Sequence, residues 1–157
     1  MAGKQVMLVG VDDSERSFYA LQWTLDHFFH SPSASPFKLV VVHAKSIPIS
    51  AISLGGPGAV DILSLVEKDL KSTAERVTEK TKEACKKKGV EVEVDVTEGD
   101  ARNVMCDAVE KHHASVLVLG SHGYGVFKRA VLGSVSDYCS HHAHCSVMIV
   151  KKPMAKN

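Results

Sequence analysis

The chain has 157 residues, a length typical of one domain, and its 19 basic and 18 acidic residues leave a formal net charge of +1. This balance argues against a nucleic-acid-binding protein, and no apolar run approaches the roughly 18 residues of a membrane span. The four cysteines form no CxxC pair, which fits reduced thiols. We therefore expect one domain over residues 1–157, with its core at 5–152, in the cytoplasm or also in the nucleus.

The first part of the chain predicts two strands separated by a helix. An apolar run over Gln5–Val11 is typical of a parallel strand buried on both faces. Polar residues at Asp12–Ser14 can cap a helix whose apolar side chains recur at helical spacing as far as Phe28. The run Lys38–Ala44 predicts the second strand. The segment Ile47–Gly58, which is rich in glycine and proline, then predicts an irregular loop.

The remaining chain predicts three more strands that alternate with helices. A helical pattern covers Val60–Lys88, and the run Val90–Val96 alternates apolar with acidic residues, as at a sheet edge. Asp100 can cap the next helix. Ser115–Leu119 and Ser146–Val150 predict the fourth and fifth strands. This alternation predicts an α/β fold of three layers, doubly wound around a mostly parallel sheet.

The glycine-rich stretch that follows the fourth strand is the most informative part of the sequence. It begins with Gly120-Ser-His-Gly123, and Gly133-Ser134 follow after nine further residues. Glycines let a backbone approach a ligand closely, and a helix N-terminus offers unpaired N–H donors to a phosphate. The dinucleotide fingerprint does not match, because Lys128 stands where that motif needs its third glycine. The stretch does not match the Walker loop either. A nucleotide phosphate is the ligand that this stretch suggests.

The polar and glycine residues at the strand ends are expected to meet. Ligands of doubly wound sheets bind beyond the carboxyl ends of the strands, where the strand order reverses. Asp12, Ala44 and the loop that starts at Gly120 each follow a predicted strand. We therefore expect all three to border one crevice.

Three patterns in the chain together resemble the universal stress protein family. They are Val9-Gly-Val-Asp12 with Ser14 and Ser17, then Val42-His43-Ala44, and then Gly-x2-Gly-x9-Gly-Ser. The resemblance runs from Gln5 to Lys152 and is strongest to the small single-domain plant members. It implies a five-stranded parallel sheet in the order 3-2-1-4-5, of the adenine nucleotide alpha hydrolase-like type. Because every glycine of the motif is present, it also implies the branch that binds ATP or AMP.

The same resemblance implies roles for individual residues. Gly10 and Val11 would border the adenine, Ala44 would contact it through its backbone, and Asp12 would face the ribose hydroxyls or a phosphate-bound Mg²⁺ or Mn²⁺. The residues implied to surround the ribose and phosphates are Gly120, Ser121, His122, Gly123, Gly125, Gly133, Ser134, Val135 and Ser136. Simpler roles stay open: Asp12 and Ser134 could be helix caps, and Gly123 and Gly125 could be turn residues. No catalytic residue is assigned, because His122 lacks a partner base or nucleophile in the sequence.

These observations favour a nucleotide-dependent switch or interaction module in the stress response. The alternatives are a holdase-like chaperone or a redox-responsive scaffold that acts through oligomers, or a weak ATPase. Family members pair through the fifth strand, and an unpaired apolar edge at Val147–Val150 would favour aggregation, so we expect a homodimer. Other protein partners are not identified by the sequence. A dense histidine and cysteine cluster over residues 139–145 spans a helix end, a turn and a strand start, which argues against a metal site.

Overall fold

Strands and helices alternate through the part of the chain that the computed structural model describes, which comprises residues 3–47, 56, 58–121 and 133–153. The strands are β1 (Gln5–Gly10), β2 (Phe37–Lys45), β3 (Val92–Glu98), β4 (Ala114–Gly120) and β5 (Ser146–Val150). The helices are α1 (Glu15–Phe28), α2 (Ala59–Lys87), α3 (Ala101–His112) and α4 (Ser134–His142), with a 3₁₀ turn at Pro32–Ala34. Most of the expected loop Ile47–Gly58 lies outside the described residues.

The five strands form one parallel sheet in the order β3-β2-β1-β4-β5. This result confirms the predicted fold class and strand order. The chain runs outward from β1 to β3 in one direction, and from β4 to β5 in the other. The order therefore reverses between β1 and β4, whose carboxyl ends flank the switch point where such folds bind ligands. The expectation of one domain over residues 1–157, with its core at 5–152, stays a prediction.

Both faces of the sheet are covered, because successive residues of each central strand point to opposite sides. Met7 and Val9 pack with residues of α1 and α2, whereas Leu8 packs with residues of α3 and α4. All three side chains are at most 1% exposed. Burial on both faces explains why the central strands read as continuous apolar runs rather than as alternating ones.

The predicted start of the third strand was wrong by two residues. Val90 was expected to begin the strand, but its N–H donates to the carbonyl oxygen of Cys85 at 2.9 Å, and that of Gly89 donates to Lys86 at 3.0 Å. These bonds close the C-terminus of α2 in the pattern of a helix end, with Val90 as its buried apolar residue. The strand begins only at Val92. Val90 therefore belongs to the C-terminal end of α2, although its apolar side chain next to an alternating run had indicated a strand.

The two edges of the sheet differ in charge. β3, an edge strand as predicted, carries Glu93, Asp95 and Glu98, whereas β5 carries no charged residue. Asp95 lies 2.7 Å from Nε2 of His112 and 3.2 Å from Nζ of Lys111. Burial raises the pKa of Asp95, but hydrogen bonds from His112, Thr97 and Lys111 outweigh it and hold that pKa below its usual value.

None of the helices in the described ranges is long and apolar enough to cross a membrane. The cytoplasmic location stays a prediction from the sequence.

A buried hydroxyl without a partner offers a test of the packing of α2. Thr81 is fully buried, and within the described ranges its Oγ1 has no hydrogen-bond partner. Thr81→Val replaces that hydroxyl with a methyl group of similar size, so we expect the free energy of unfolding to rise by about 1 kcal/mol. Urea denaturation measures this change.

Thr24→Val is the matched control. Thr24 is equally buried on α1, but its Oγ1 donates to the carbonyl oxygen of Ala20 at 2.7 Å. In Thr24→Val, the loss of this hydrogen bond should offset the free energy gained when the hydroxyl is replaced by a methyl group. This variant should therefore not be more stable than the wild type. A Thr81→Val protein that is less stable than the wild type would contradict the packing described here.

Candidate functional site

A crevice of about 280 Å³ lies at the carboxyl ends of β1 and β4, where the strand order reverses. The following residues line it: Gly10, Val11, Asp12, Ser14, Arg16, Ser17, Ala44, Ala101, Met105, Leu119, Gly120, Ser121, Gly133, Ser134, Val135 and Ser136. The structure therefore brings together every implied site residue within the described ranges. His122, Gly123 and Gly125, the other three, lie outside the described residues.

The turn from β1 into α1 is held by one buried hydroxyl. Oγ of Ser17 accepts the N–H of Asp12 at 3.0 Å, and it lies 2.9 Å from the carbonyl oxygen of Asp12 and 3.1 Å from that of Ser14. Ser17 is only 7% exposed. A single hydroxyl thus fixes the backbone of Asp12 at both its donor and its acceptor, which positions the carboxylate at the crevice.

The three polar residues of this turn have separate roles. Ser14 is the N-cap of α1, because its Oγ accepts the N–H of Ser17 at 3.2 Å. Asp13 turns away and binds Arg76 of α2 at 2.9 Å; this hydrogen bond lowers the pKa of Asp13, against a smaller effect of burial. Asp12 Oδ1 accepts the N–H of Ser14 at 2.9 Å. Because a carboxylate has about four acceptor positions, Asp12 can support the turn and still accept further hydrogen bonds from a ligand.

Two glycines let the helices approach the strand ends. A Cβ atom at Gly10 would lie 2.7 Å from Cδ2 of Leu119 and 2.8 Å from Sδ of Met105. At Gly120 it would lie 2.8 Å from the carbonyl oxygen of Arg16, in the first turn of α1. All three distances are shorter than real Cβ contacts. At Gly120 the neighbour is backbone, so packing alone requires glycine there and the residue type is not itself a sign of ligand contact. At Gly10 the neighbours are the ends of two flexible side chains, which would have to move to admit a Cβ atom.

The backbone of Val11 is held from the side of β2. Its N–H donates to the carbonyl oxygen of Val42 at 2.9 Å, and Nδ1 of His43 lies 3.0 Å from its carbonyl oxygen. Because a carbonyl only accepts, Nδ1 of His43 carries the proton in this bond. His43 is 5% exposed and serves as a buried structural residue. The crevice wall at Val11 and Ala44 is thus fixed by main-chain and imidazole bonds.

Three helices begin at the crevice, and one of them lacks a side-chain cap. Ser14 caps α1, and Asp100 caps α3 by accepting the N–H of Arg102 at 2.9 Å. The N-cap of α4 is Gly133, not Ser134 as one sequence interpretation had it, and no described side chain caps this helix. The first-turn N–H groups of α4, at Ser134, Val135 and Ser136, therefore face a crevice with the partial positive charge of a helix N-terminus.

Sequence reasoning missed several lining residues, of which Arg16 and Met105 matter most. Arg16 lies in the first turn of α1, is half-buried, and forms no ion pair with any residue in the described ranges. Met105 belongs to the apolar face of α3 and reaches the crevice because Gly10 has no side chain. The helical spacing of Met105 indicated only a core position. No sequence signal distinguishes a core methionine from one at the rim of a site.

The three histidines of the cluster at the end of α4 do not converge. His141 pairs with Asp137 of its own helix, His142 stacks on Tyr138 with ring centroids 4.0 Å apart, and His144 bonds Glu110 of α3. In the described ranges, no group of three or more His, Cys, Asp or Glu residues could hold a metal ion.

Comparison with known proteins places these features in a family. The model of the universal stress protein family matches residues 4–151. The universal stress protein A-like protein of Arabidopsis thaliana is 30% identical over 142 residues, which cover 85% of this chain and 77% of that protein. Universal stress protein PHOS34 of the same plant is 30% identical over 164 residues; the match covers 92% of this chain but only 61% of that relative.

Solved structures give the same fold. A universal stress protein family protein from Arabidopsis thaliana, solved with AMP bound, has a TM-score of 0.66 and 25% identity, and the match covers 95% of this chain and 92% of that one. The universal stress protein UspA from Lactobacillus plantarum has a TM-score of 0.72 and 18% identity, with 96% and 99% covered. At that lower identity, the likeness concerns the fold alone.

The Ser17 hydroxyl provides a test of how the turn is held. Ser17→Ala leaves the N–H of Asp12 without its partner, so we expect the free energy of unfolding to fall by about 1–2 kcal/mol. Ser140→Ala is the control, because its hydroxyl bonds the Asp137 carbonyl at 2.7 Å but is exposed to water. Urea denaturation measures the free energy of unfolding of both variants. If the two variants lost equal amounts of it, the Ser17 hydroxyl would not hold the turn.

Proposed function

This chain belongs to the universal stress protein family, and we propose that it binds an adenine nucleotide, ATP or AMP, in the crevice at the switch point. The binding would serve a nucleotide-dependent switch or an interaction module in the stress response. The observation that carries the proposal is the uncapped N-terminus of α4, which opens on the same crevice as the Asp12 carboxylate. The first feature suits a phosphate and the second suits hydroxyl groups.

The lining residues fit the parts of a nucleotide in a definite order. Val11 and Ala44 would border the adenine, since their backbones lie at the ends of β1 and β2. Asp12 would accept hydrogen bonds from the ribose hydroxyls. The amides of Gly133–Ser136 would donate to a phosphate. Gly10, Gly120 and Ser121 would complete the walls, with His122, Gly123 and Gly125 proposed from the family motif alone.

Arg16 adds a positive charge that the family resemblance did not suggest. As an unpaired cation within the described part of the crevice, it would attract phosphate oxygens in addition to those that the α4 amides bind. A second positive group favours nucleotides with more than one phosphate. A divalent ion would reach Asp12 only when bound to those phosphates, because the described residues offer no metal cluster of their own. The AMP-bound relative from Arabidopsis thaliana supports an adenine nucleotide as the ligand.

A charge placed at the N-cap of α4 tests where the phosphate lies. Gly133 has φ −60°, which other residues adopt, and both aspartate and asparagine are good N-caps. We expect Gly133→Asp to bind ATP and AMP at least tenfold more weakly than Gly133→Asn, because only the aspartate repels a phosphate. Tenfold corresponds to about 1.4 kcal/mol. Isothermal titration calorimetry measures these affinities, and circular dichroism checks that both variants keep their helices.

Adenosine serves as the phosphate-free control ligand and should bind both variants equally. If the two variants also bound ATP and AMP equally, the phosphate would not lie at α4. If the wild type bound neither nucleotide and released none on denaturation, the proposed function itself would fail.

We also propose that the chain forms a homodimer through β5. The acidic residues of β3 protect one sheet edge from pairing with another chain, whereas β5 has the sequence SVMIV and no such protection. Met148 and Val147 each pack against one of the two cores, but Ile149 belongs to neither core in the described structure and is only half-buried. A second copy that covers this edge would bury Ile149.

A lysine on each edge strand tests this pairing. Ile149→Lys should convert the dimer to a monomer, because it places a charge in the proposed interface. Val96→Lys is the matched control on β3, where Val96 is already 41% exposed, and it should leave the dimer intact. Sedimentation velocity at micromolar concentration distinguishes the two states. A monomeric wild type, or a dimeric Ile149→Lys variant, would refute the interface.

A further inference from the structure

Three of the four cysteines meet where α3, α4 and the start of β5 pack together. Cys106 on α3 and Cys139 on α4 are 33 positions apart in sequence, yet their Sγ atoms lie 4.0 Å from each other. Cys145, just before β5, packs into the same core. The fourth, Cys85, lies on α2 and in the core on the opposite face of the sheet. None of the described residues that line the crevice is a cysteine, so the proposed nucleotide site gives this thiol contact no role.

We propose that Cys106 and Cys139 form a redox modification site, at which a hydroperoxide converts the two thiols into an intramolecular disulfide that joins α3 to α4. The inference does not depend on nucleotide binding, and it differs from the oligomeric redox scaffold that the sequence left open. In that scaffold the bond would join two chains, whereas here it joins two helices of one chain.

The geometry suits a bond between these two residues. A disulfide holds its sulfur atoms about 2.05 Å apart, so the two sulfurs need to approach by about 2 Å from their contact distance. Each cysteine has one single bond, Cα–Cβ, whose rotation moves the sulfur. The two helices already pack against each other through the shared core. Both cysteines lie on helices, so the bond would form outside the sheet.

Exposure assigns the order of the two steps. Cys106 is half-buried, so a small peroxide can reach it, whereas Cys139 is 0% exposed. In the first step, the Cys106 thiol gives its proton to solvent and the thiolate attacks the terminal peroxide oxygen. The O–O bond breaks, and the leaving alkoxide or hydroxide takes up a proton from solvent, which gives a sulfenic acid and an alcohol or water. In the second step, Cys139 Sγ attacks Cys106 Sγ, the S–O bond breaks, and water leaves with the proton of Cys139. Two thiols are oxidised and one peroxide is reduced.

The surroundings of the other thiols favour Cys106 as the site of the first oxidation. Burial, with a smaller effect of the neighbouring Cys106, raises the pKa of Cys139 to about 12, so Cys139 is a poor site for the first oxidation. Burial also raises the pKa of Cys145, against a weaker opposing hydrogen bond from the Leu117 backbone.

The disulfide would join two helices that both border the crevice. Met105, next to Cys106, and Ser136, one helical turn before Cys139, are lining residues. Oxidation would therefore fix the position of the α4 N-terminus relative to α3.

Peptide mapping of the full-length protein tests the site directly. The reduced protein is treated with hydrogen peroxide, the remaining thiols are alkylated, and the protein is digested without reductant and analysed by mass spectrometry. We expect one cross-linked peptide pair that contains Cys106 and Cys139, a chain that stays unlinked to other chains, and full reversal by dithiothreitol. A Cys106–Cys145 bond, a bond between chains, over-oxidised Cys106 without a disulfide, or four unmodified thiols would each overturn the proposal.

Substitutions provide an independent check. Cys106→Ser and Cys139→Ala should each abolish the peroxide-induced loss of two thiols in a thiol titration. Cys85→Ser, the matched control on the opposite face of the sheet, should preserve it. Circular dichroism confirms that each variant is folded, and the wild-type peptide map decides the question even if one variant does not fold. Loss of the disulfide in Cys85→Ser would also refute the assignment.

Discussion

The close approach of α1 and α3 to the ends of β1 and β4 is the constraint on which the crevice depends. Two glycines permit this approach: a Cβ atom at Gly120 would overlap the backbone of α1, and one at Gly10 would displace the side chains of Met105 and Leu119. With the helices so near, their first turns reach the switch point of the sheet. The polar ends of three helices then surround one space, although each helix packs its apolar face against the sheet.

The walls of this space differ in how firmly they are held. On the β1 side, Ser17 and His43 bond the backbone of residues 11 and 12 from two directions, and both side chains are buried. Hydrogen bonds inside a protein are costly to break, so this wall keeps its shape without a ligand. At the start of α4, Gly133 offers no side chain to the first-turn amides. An anionic group of a ligand at this position would accept the hydrogen bonds of the first-turn amides, which no N-cap side chain accepts in α4.

The sequence was sufficient for the fold and for part of the site. Continuous apolar runs indicated strands buried on both faces, and the residues after three of these runs meet at the crevice. The start of β3 was misread because Val90, apolar and next to a glycine, closes the helix α2 instead. Arg16, Met105 and the contact between Cys106 and Cys139 could not be found, because each depends on how two helices pack in space. Periodicity shows which face of a helix is buried, but not which neighbour it meets.

The charges around the crevice limit the kind of ligand that fits it. Among the described lining residues, Asp12 carries the one negative side chain and Arg16 the one positive side chain, and the α4 amides add a partial positive charge. A free phosphate would meet the amides and Arg16 but would be repelled by Asp12. A nucleoside would satisfy Asp12 but leave the amides without an anion. A molecule with hydroxyl groups at one end and phosphate at the other satisfies both, which is the arrangement of a nucleotide.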